Sequence, residues 1–326
     1  MILSTTLLLV GFAILIKGAD FLVNGASSIA KKNGISNLAI GLTVVAFGTS
    51  LPELIVSLFA AIDGKSDASF GNVIGSNIFN LLFILGISGI IFPLVVQRNT
   101  VKYEVPISLL AAIVLFAVVN DNMLLGSDIN ILGRFDSLIL LVFFGLFLYY
   151  IYRTMSTTSD MEEGEPIKLY SNALAIGMII LGLAFLIGGG KLVVDNAIEI
   201  AKGFGLSEKF IGLTILAAGT SLPELATSAV AAYRKNTDIA IGNVVGSNIF
   251  NIFFILGITG LVHPIEYNLA MNMDIYVLCA STVLLMVFMF TLNQRKLDRW
   301  EAVIMLVLYV AYTLYLFGND TGAAPM

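Results

Sequence analysis

The hexapeptide Gly-Thr-Ser-Leu-Pro-Glu occurs twice, letter for letter, at 48–53 and 219–224, each time inside a run apolar enough to cross a bilayer. The two copies belong to a larger duplication. Laid on itself so that Gly48 meets Gly219, the chain aligns without a gap: residues 40–54 match 211–225 at 12 of 15 positions, and 71–87 match 242–258 at 14 of 17. The match is weaker upstream, where Leu22-Val23-Asn24-Gly25-Ala26 lies opposite Val193-Val194-Asp195-Asn196-Ala197. A repeat of this length must be met by two equivalent structural units. Each unit here carries a carboxylate beside a helix breaker in the middle of an apolar run. A carboxylate at membrane depth is costly and marks a functional site by default.

Composition sets the medium. Of the 326 residues, 58% are hydrophobic and only 12% charged, against about a quarter charged in soluble chains. The class is a polytopic α-helical membrane protein. The apolar runs are continuous rather than alternating, which disfavours a β-barrel. The net charge of −5 says little, because the charges lie in loops. The single cysteine, Cys279, sits in an apolar run and reads as a small core residue. No Lys or Arg precedes the first apolar run, so that run lacks a signal peptide's positive region and reads as a retained helix. No basic patch and no zinc-ligand spacing is present, so neither nucleic acid nor a structural metal is expected.

The hydropathy pattern predicts ten spans, at 2–19, 37–62, 69–92, 104–120, 130–152, 171–190, 208–232, 239–262, 272–292 and 299–317. Each half then holds five helices. Five is odd, so the second half enters the membrane from the opposite side. The expected fold is all-α, with ten transmembrane helices as two inverted five-helix repeats, a broken helix in each half. The repeats occupy 1–152 and 171–326, joined by a short acidic linker, 153–170, with Asp160, Glu162, Glu163 and Glu165. Inverted repeats with broken helices are the architecture of secondary transporters, whose sites lie near the bilayer midplane. An outside N-terminus places 12 of the 17 basic residues on the cytoplasmic side. Both termini are then extracellular and the linker cytoplasmic.

Pro52 and Pro223 have no N–H, so the carbonyls of Gly48 and Gly219 lose their i+4 donors. A break near Ala46–Thr49 is predicted, with free carbonyl oxygens as candidate cation ligands. Such backbone is tolerated at membrane depth only where it is buried in protein or lines a polar cavity. Glu53 stands at i+4 from Thr49 and i+3 from Ser50, so a continuous helix would place all three on one side; Thr220, Ser221 and Glu224 repeat the spacing. In the second motif Asn72, Ser76 and Asn80 form one helical face, repeated by Asn243, Ser247 and Asn251. The donors are all oxygen, with no His and no Cys, which suits hard cations such as Ca²⁺ or Na⁺. The competing structural readings are small-residue packing for Gly71, Gly75, Gly242 and Gly246, and protonated, hydrogen-bonded carboxyls for Glu53 and Glu224. Asn72, Asn77, Asn243 and Asn248 read as supporting residues outside the primary site. Asp20 and Lys191 share a repeat position with opposite charge and read as helix-end charges. His263 and Trp300 read as interfacial.

The motifs GTSLPE at 48–53 and 219–224, GNVIGSNIFN at 71–80 and GNVVGSNIFN at 242–251 resemble the two α-repeats of the calcium/cation antiporter superfamily, specifically its prokaryotic sodium/calcium exchangers. The resemblance covers nearly the whole chain. It implies electrogenic exchange of three Na⁺ entering for one Ca²⁺ leaving, within a lipid bilayer and with no cofactor or obligate protein partner. It also implies that Glu53 and Glu224 are the central ligands, and that Thr49, Thr220, Ala46 and Ala217 offer backbone carbonyls. Ser50, Ser221, Ser76 and Ser247 would serve sodium, with Asn80 near the middle of the site. In this resemblance the first and sixth helices are gates. Some superfamily members carry Asp where Asn251 stands; here both halves carry Asn, which implies two carboxylates rather than three and weakens the case for potassium. The proton/calcium branch carries different motifs. The large calcium-sensing domains of animal exchangers are absent, so no regulatory calcium site is expected in the linker. A cation channel with a glutamate filter is the alternative of another class. An enzyme is disfavoured, because no nucleophile, phosphate loop or cofactor motif accompanies the glutamates.

Overall fold

The computed structural model describes residues 2–120, 129–154, 168–203, 217–291 and 295–321. Their helices are α1 (Ile2–Asn33), α2 (Asn37–Thr49), α3 (Leu51–Ile62), α4 (Ser66–Ile91), α5 (Thr100–Val119), α6 (Arg134–Thr154), α7 (Asn172–Gly203), α8 (Leu222–Tyr233), α9 (Thr237–Val262), α10 (Leu269–Phe288) and α11 (Arg299–Thr321). Among the described residues eight helices are long and apolar enough to span a membrane. α2 and α3 make a ninth span, bent by 46°. The part of the expected seventh span at 208–216 lies outside the described residues, as does 155–167 of the linker. What is described of that span is the turn Ala217–Gly219 followed by α8.

The first and sixth helices do not end at 19 and 190, as hydropathy predicts; they run on to Asn33 and Gly203. Charged residues end an apolar run but do not break a helix. α1 continues through an Ala- and Ser-rich stretch without proline until Gly34, whose φ of +64° turns the chain so that the Ile35 N–H closes on the Ala30 carbonyl at 2.9 Å.

The break in the second span falls at Ser50, just after the expected Ala46–Thr49. Ser50 has φ −83° and ψ 8°, and Pro52 sits in the first turn of α3, where a missing N–H costs nothing. Ser221 repeats this with φ −88° and ψ 7°, and Pro223 opens α8 in the same way.

Burial separates the helices into a centre and a shell. The apolar stretch of α9 is 94% buried and that of α4 72%, whereas the other six unbroken spans reach only 17–39%. α4 and α9 carry the asparagine motifs, so the polar faces are turned inward. α9 approaches α2 backbone to backbone. A Cβ at Gly246 would lie 2.8 Å from the Ala46 Cβ and 2.9 Å from the Leu42 carbonyl oxygen. Gly246→Ala is therefore expected to destabilise the protein by about 1–3 kcal/mol, read as a lower thermal midpoint in detergent. Gly145→Ala, at an exposed position with no described neighbour within 4 Å, is the neutral control.

Two short antiparallel clips tie the halves together. Leu94–Val95 (β1) pairs with Lys296–Leu297 (β4), and Ile131–Leu132 (β2) with Ile265–Glu266 (β3). Each clip joins one strand from each half. Aromatic contacts repeat the theme: Phe47 of α2 lies 5.7 Å from Phe250 and 5.9 Å from Phe254 of α9.

Candidate functional site

The site starts from the two breaks. Ser50 interrupts the helix, yet Thr49, Ser50 and Glu53 still point to one side, as expected, and that side faces the other half. Ser50 Oγ donates to Glu224 Oε1 at 2.8 Å, and Ser221 Oγ donates to Glu53 Oε1 at 3.0 Å. Each hinge serine thus holds the opposite half's glutamate. Ser50 Oγ lies 3.0 Å from Ser247 Oγ, and Ser221 Oγ 3.0 Å from Ser76 Oγ. Ser247 Oγ is also 3.4 Å from Glu224 Oε1.

The four asparagines expected outside the primary site form its frame. Asn72 accepts from Thr220 Oγ1 at 3.2 Å and donates to the Glu53 carbonyl at 3.2 Å and to Ser57 Oγ at 2.9 Å. Asn243 accepts from Thr49 Oγ1 at 3.1 Å and donates to the Glu224 carbonyl at 3.3 Å and to Ser228 Oγ at 2.9 Å. At the centre Asn77 Nδ2 donates to the Asn248 carbonyl and Asn248 Nδ2 to the Asn77 carbonyl, both at 3.2 Å. Their side-chain oxygens accept from Asn251 Nδ2 at 2.9 Å and Asn80 Nδ2 at 3.0 Å. Every one of these bonds has its counterpart between the equivalent positions of the two repeats. Sequence reading misses Ser57 and Ser228, although each stands at the same repeat position in an otherwise apolar run, which is the signal that finds them.

Of the site's side chains, four buried oxygens have no hydrogen-bond partner among the described residues: Oε2 of Glu53 and Glu224, and Oδ1 of Asn80 and Asn251. Their residues are at most 1% exposed. The Asn77 and Asn248 side chains take up the NH₂ ends of Asn251 and Asn80, which leaves the amide oxygens directed away from that bond. Asn80 and Asn251 also lie in π-helical turns, Phe79–Ile84 and Phe250–Leu256, where the widened helix re-aims side chains. No ion pair among the described residues reaches either glutamate. A buried acceptor left unpartnered costs about 1–3 kcal/mol, more when charged.

The Ala46 carbonyl accepts from the Ser50 N–H at 3.0 Å and from Thr49 Oγ1 at 3.3 Å, so it is engaged within its own turn. Thr49 Oγ1 also reaches the Val45 carbonyl at 3.1 Å. Ala217 opens the turn that leads to Thr220 and Ser221.

The sequence profile of the family described as "Sodium/calcium exchanger protein" matches residues 3–153 and 174–318. The "Putative antiporter CaxA" of Alkalimonas amylolytica is 38% identical over 98% of this chain and 100% of its own. The "Sodium/calcium exchanger MaX1" of Methanosarcina acetivorans is 33% identical over 95% of this chain and 97% of its own. A solved structure of "the sodium-calcium exchanger NCX_Mj", soaked with 2.5 mM Na⁺ and 10 mM Sr²⁺, superposes with a TM-score of 0.80 at 35% identity, covering 95% of this chain and 97% of that one.

Proposed function

The chain belongs to the sodium/calcium exchanger family, and from that premise we propose that it is a secondary antiporter carrying Na⁺ inward and Ca²⁺ outward by alternating access. The observation that carries the reading is the set of four unpartnered oxygens, two carboxylate and two amide, each pair drawn from equivalent positions of the two repeats. An all-oxygen set with two negative charges suits one Ca²⁺ or several Na⁺. Glu53, Glu224, Asn80 and Asn251 are assigned to the cation directly. Ser50, Ser221, Ser76 and Ser247 line its flanks as sodium ligands. Thr49, Thr220, Ala46 and Ala217 supply the surrounding backbone.

The reading includes the ten-helix arrangement of two inverted repeats, 1–152 and 171–326, with the linker 153–170 on the cytoplasmic side and both termini outside. The three-to-one stoichiometry makes exchange electrogenic, and an empty pair of carboxylates hinders crossing without an ion. The family is one of transporters, and the reading assigns the glutamates to ion binding and not to catalysis.

The test is uptake of radiolabelled Ca²⁺ into proteoliposomes loaded with Na⁺, with K⁺, or with a pH gradient alone. Uptake is expected only against internal Na⁺, and it should respond to membrane potential. Proton-driven uptake would replace sodium with H⁺ as the coupling ion. Calcium flux that persists without any counter-ion would make the protein a channel.

A further inference from the structure

Two pairs of charged residues stand at matched repeat positions with their signs reversed. In the alignment that lays Gly48 on Gly219, Asp20 falls on Lys191 and Asp63 on Arg234. One cross-pairing is made in the structure. Arg234, at the end of α8, donates through Nη2 to the Asp20 carboxylate of α1, and through Nη1 to Asn24 Oδ1 at 2.9 Å. Beside it Asn236 Nδ2 donates to Ser27 Oγ at 3.0 Å. Lys17 adds a looser contact to Asp20 at 3.6 Å.

The counterpart pairing is not made. Asp63 instead lies 3.5 Å from Lys65, with both side chains more than half exposed, and Lys191 has no ion pair among the described residues. The helices follow the same asymmetry. α1 lies along α8, whereas among the described residues its counterpart α7 barely touches α3. α1 and α7 pack on each other through glycine, with a Cβ at Gly18 or Gly182 meeting the partner backbone within 3.0 Å.

Two inverted repeats change access by exchanging conformations. This step rests on the antiporter reading above. Exchange turns every contact between two positions into a contact between their counterparts. Asp20 with Arg234 becomes Lys191 with Asp63, and because both signs reverse, the pair stays attractive.

We propose that Asp20–Arg234 and Lys191–Asp63 are alternating latches, positioning residues that hold the first helix of each repeat against the opposite repeat, one latch made in each access state. The first latch is the stronger. It has a two-pronged arginine and the Asn236–Ser27 bond, whose counterparts, Lys65 and Ile198, cannot reproduce it. In the second, Asp195 replaces Asn24, so Lys191 serves two carboxylates. The state with the first latch made is therefore the resting one.

The test uses Asp63→Cys with Lys191→Cys in a Cys279→Ala background, joined by a short, reducible bis-methanethiosulfonate linker in proteoliposomes. Adding Arg234→Gln is expected to raise the linking rate about fivefold, the population change due to one part-exposed ion pair. Asp20→Asn should do the same if Arg234→Gln folds poorly. Asp20→Arg with Arg234→Asp should bring the rate back toward the starting value. Linked protein should stop exchanging and recover on reduction. A linking rate indifferent to both single changes, or a swap that restores nothing, overturns the latches. Linking reports position and not ion identity, so it can succeed where the sodium–calcium assignment fails, and fail where that assignment stands.

Discussion

Glu53→Gln is expected to abolish calcium exchange while leaving the fold intact. The substitution keeps the shape and the Oε1 acceptor that takes the Ser221 hydroxyl at 3.0 Å. It replaces the unpartnered Oε2 with an NH₂ group, which cannot serve the proposed cation as a ligand. It also removes one of two charges. A charge about 4 Å away at an effective dielectric of 20 is worth roughly 4 kcal/mol per unit of ion charge. Even a quarter to a third of that for a divalent ion, about 2–2.7 kcal/mol, gives a loss of roughly thirty- to ninetyfold in Ca²⁺ exchange. Glu224→Gln should match it, because Ser50 holds Glu224 as Ser221 holds Glu53. Without calcium the variant should melt no lower than the parent, since one of two uncompensated buried charges is gone. The parent should gain thermal stability with added Ca²⁺, and the variant should lose that gain. Transport by Glu53→Gln at the parent rate would remove the glutamate pair from the mechanism.

Asn77→Ala is expected to damage the fold rather than the charge. The Asn77 side chain is the acceptor for Asn251 Nδ2 at 2.9 Å and the donor to the Asn248 carbonyl at 3.2 Å. Deleting it strands both groups in a region with no exposure. Two buried orphans cost about 2–4 kcal/mol together. The measurement is thermal unfolding of the detergent-solubilised protein, where a drop of roughly 5–10 °C is expected. Asn251 also loses the contact that orients its amide, so exchange should fall beyond what the stability loss explains. Ser57→Ala, which removes only the 2.9 Å bond from Asn72, should cost far less. Equal effects from the two changes would show that the central asparagine ladder has no special role.

Much of this site is legible in the sequence, for a physical reason. In a chain that is 58% hydrophobic, a polar residue inside an apolar run is costly and so conspicuous, and a second copy at the same place in the other repeat removes chance. Glu53, Glu224, Asn80, Asn251 and the four serines stand out that way. The prolines mark the breaks to within one residue. Helix ends are less legible, because α1 and α7 continue past the point where hydropathy falls. Hydropathy reports the medium, whereas helix continuation depends on backbone bonding and on the first residue that turns the chain, here Gly34.

By itself the sequence determined the medium, the duplication, the number of carboxylates and the all-oxygen chemistry, since each follows from residue identity and spacing. Tertiary structure alone decided which half each side chain serves. Ser50 lies three residues from Glu53 but bonds Glu224, because the packed repeats bring the two side chains to 2.8 Å. It also decided that Asn72, Asn77, Asn243 and Asn248 are spent on framing, so that Asn80 and Asn251 keep a free oxygen. And it decided that Arg234 grips Asp20 while Lys191 makes no such pair among the described residues. Hydrogen bonding is a matter of angle and distance at contact, and spacing along one chain says nothing about the other half until the two are packed together.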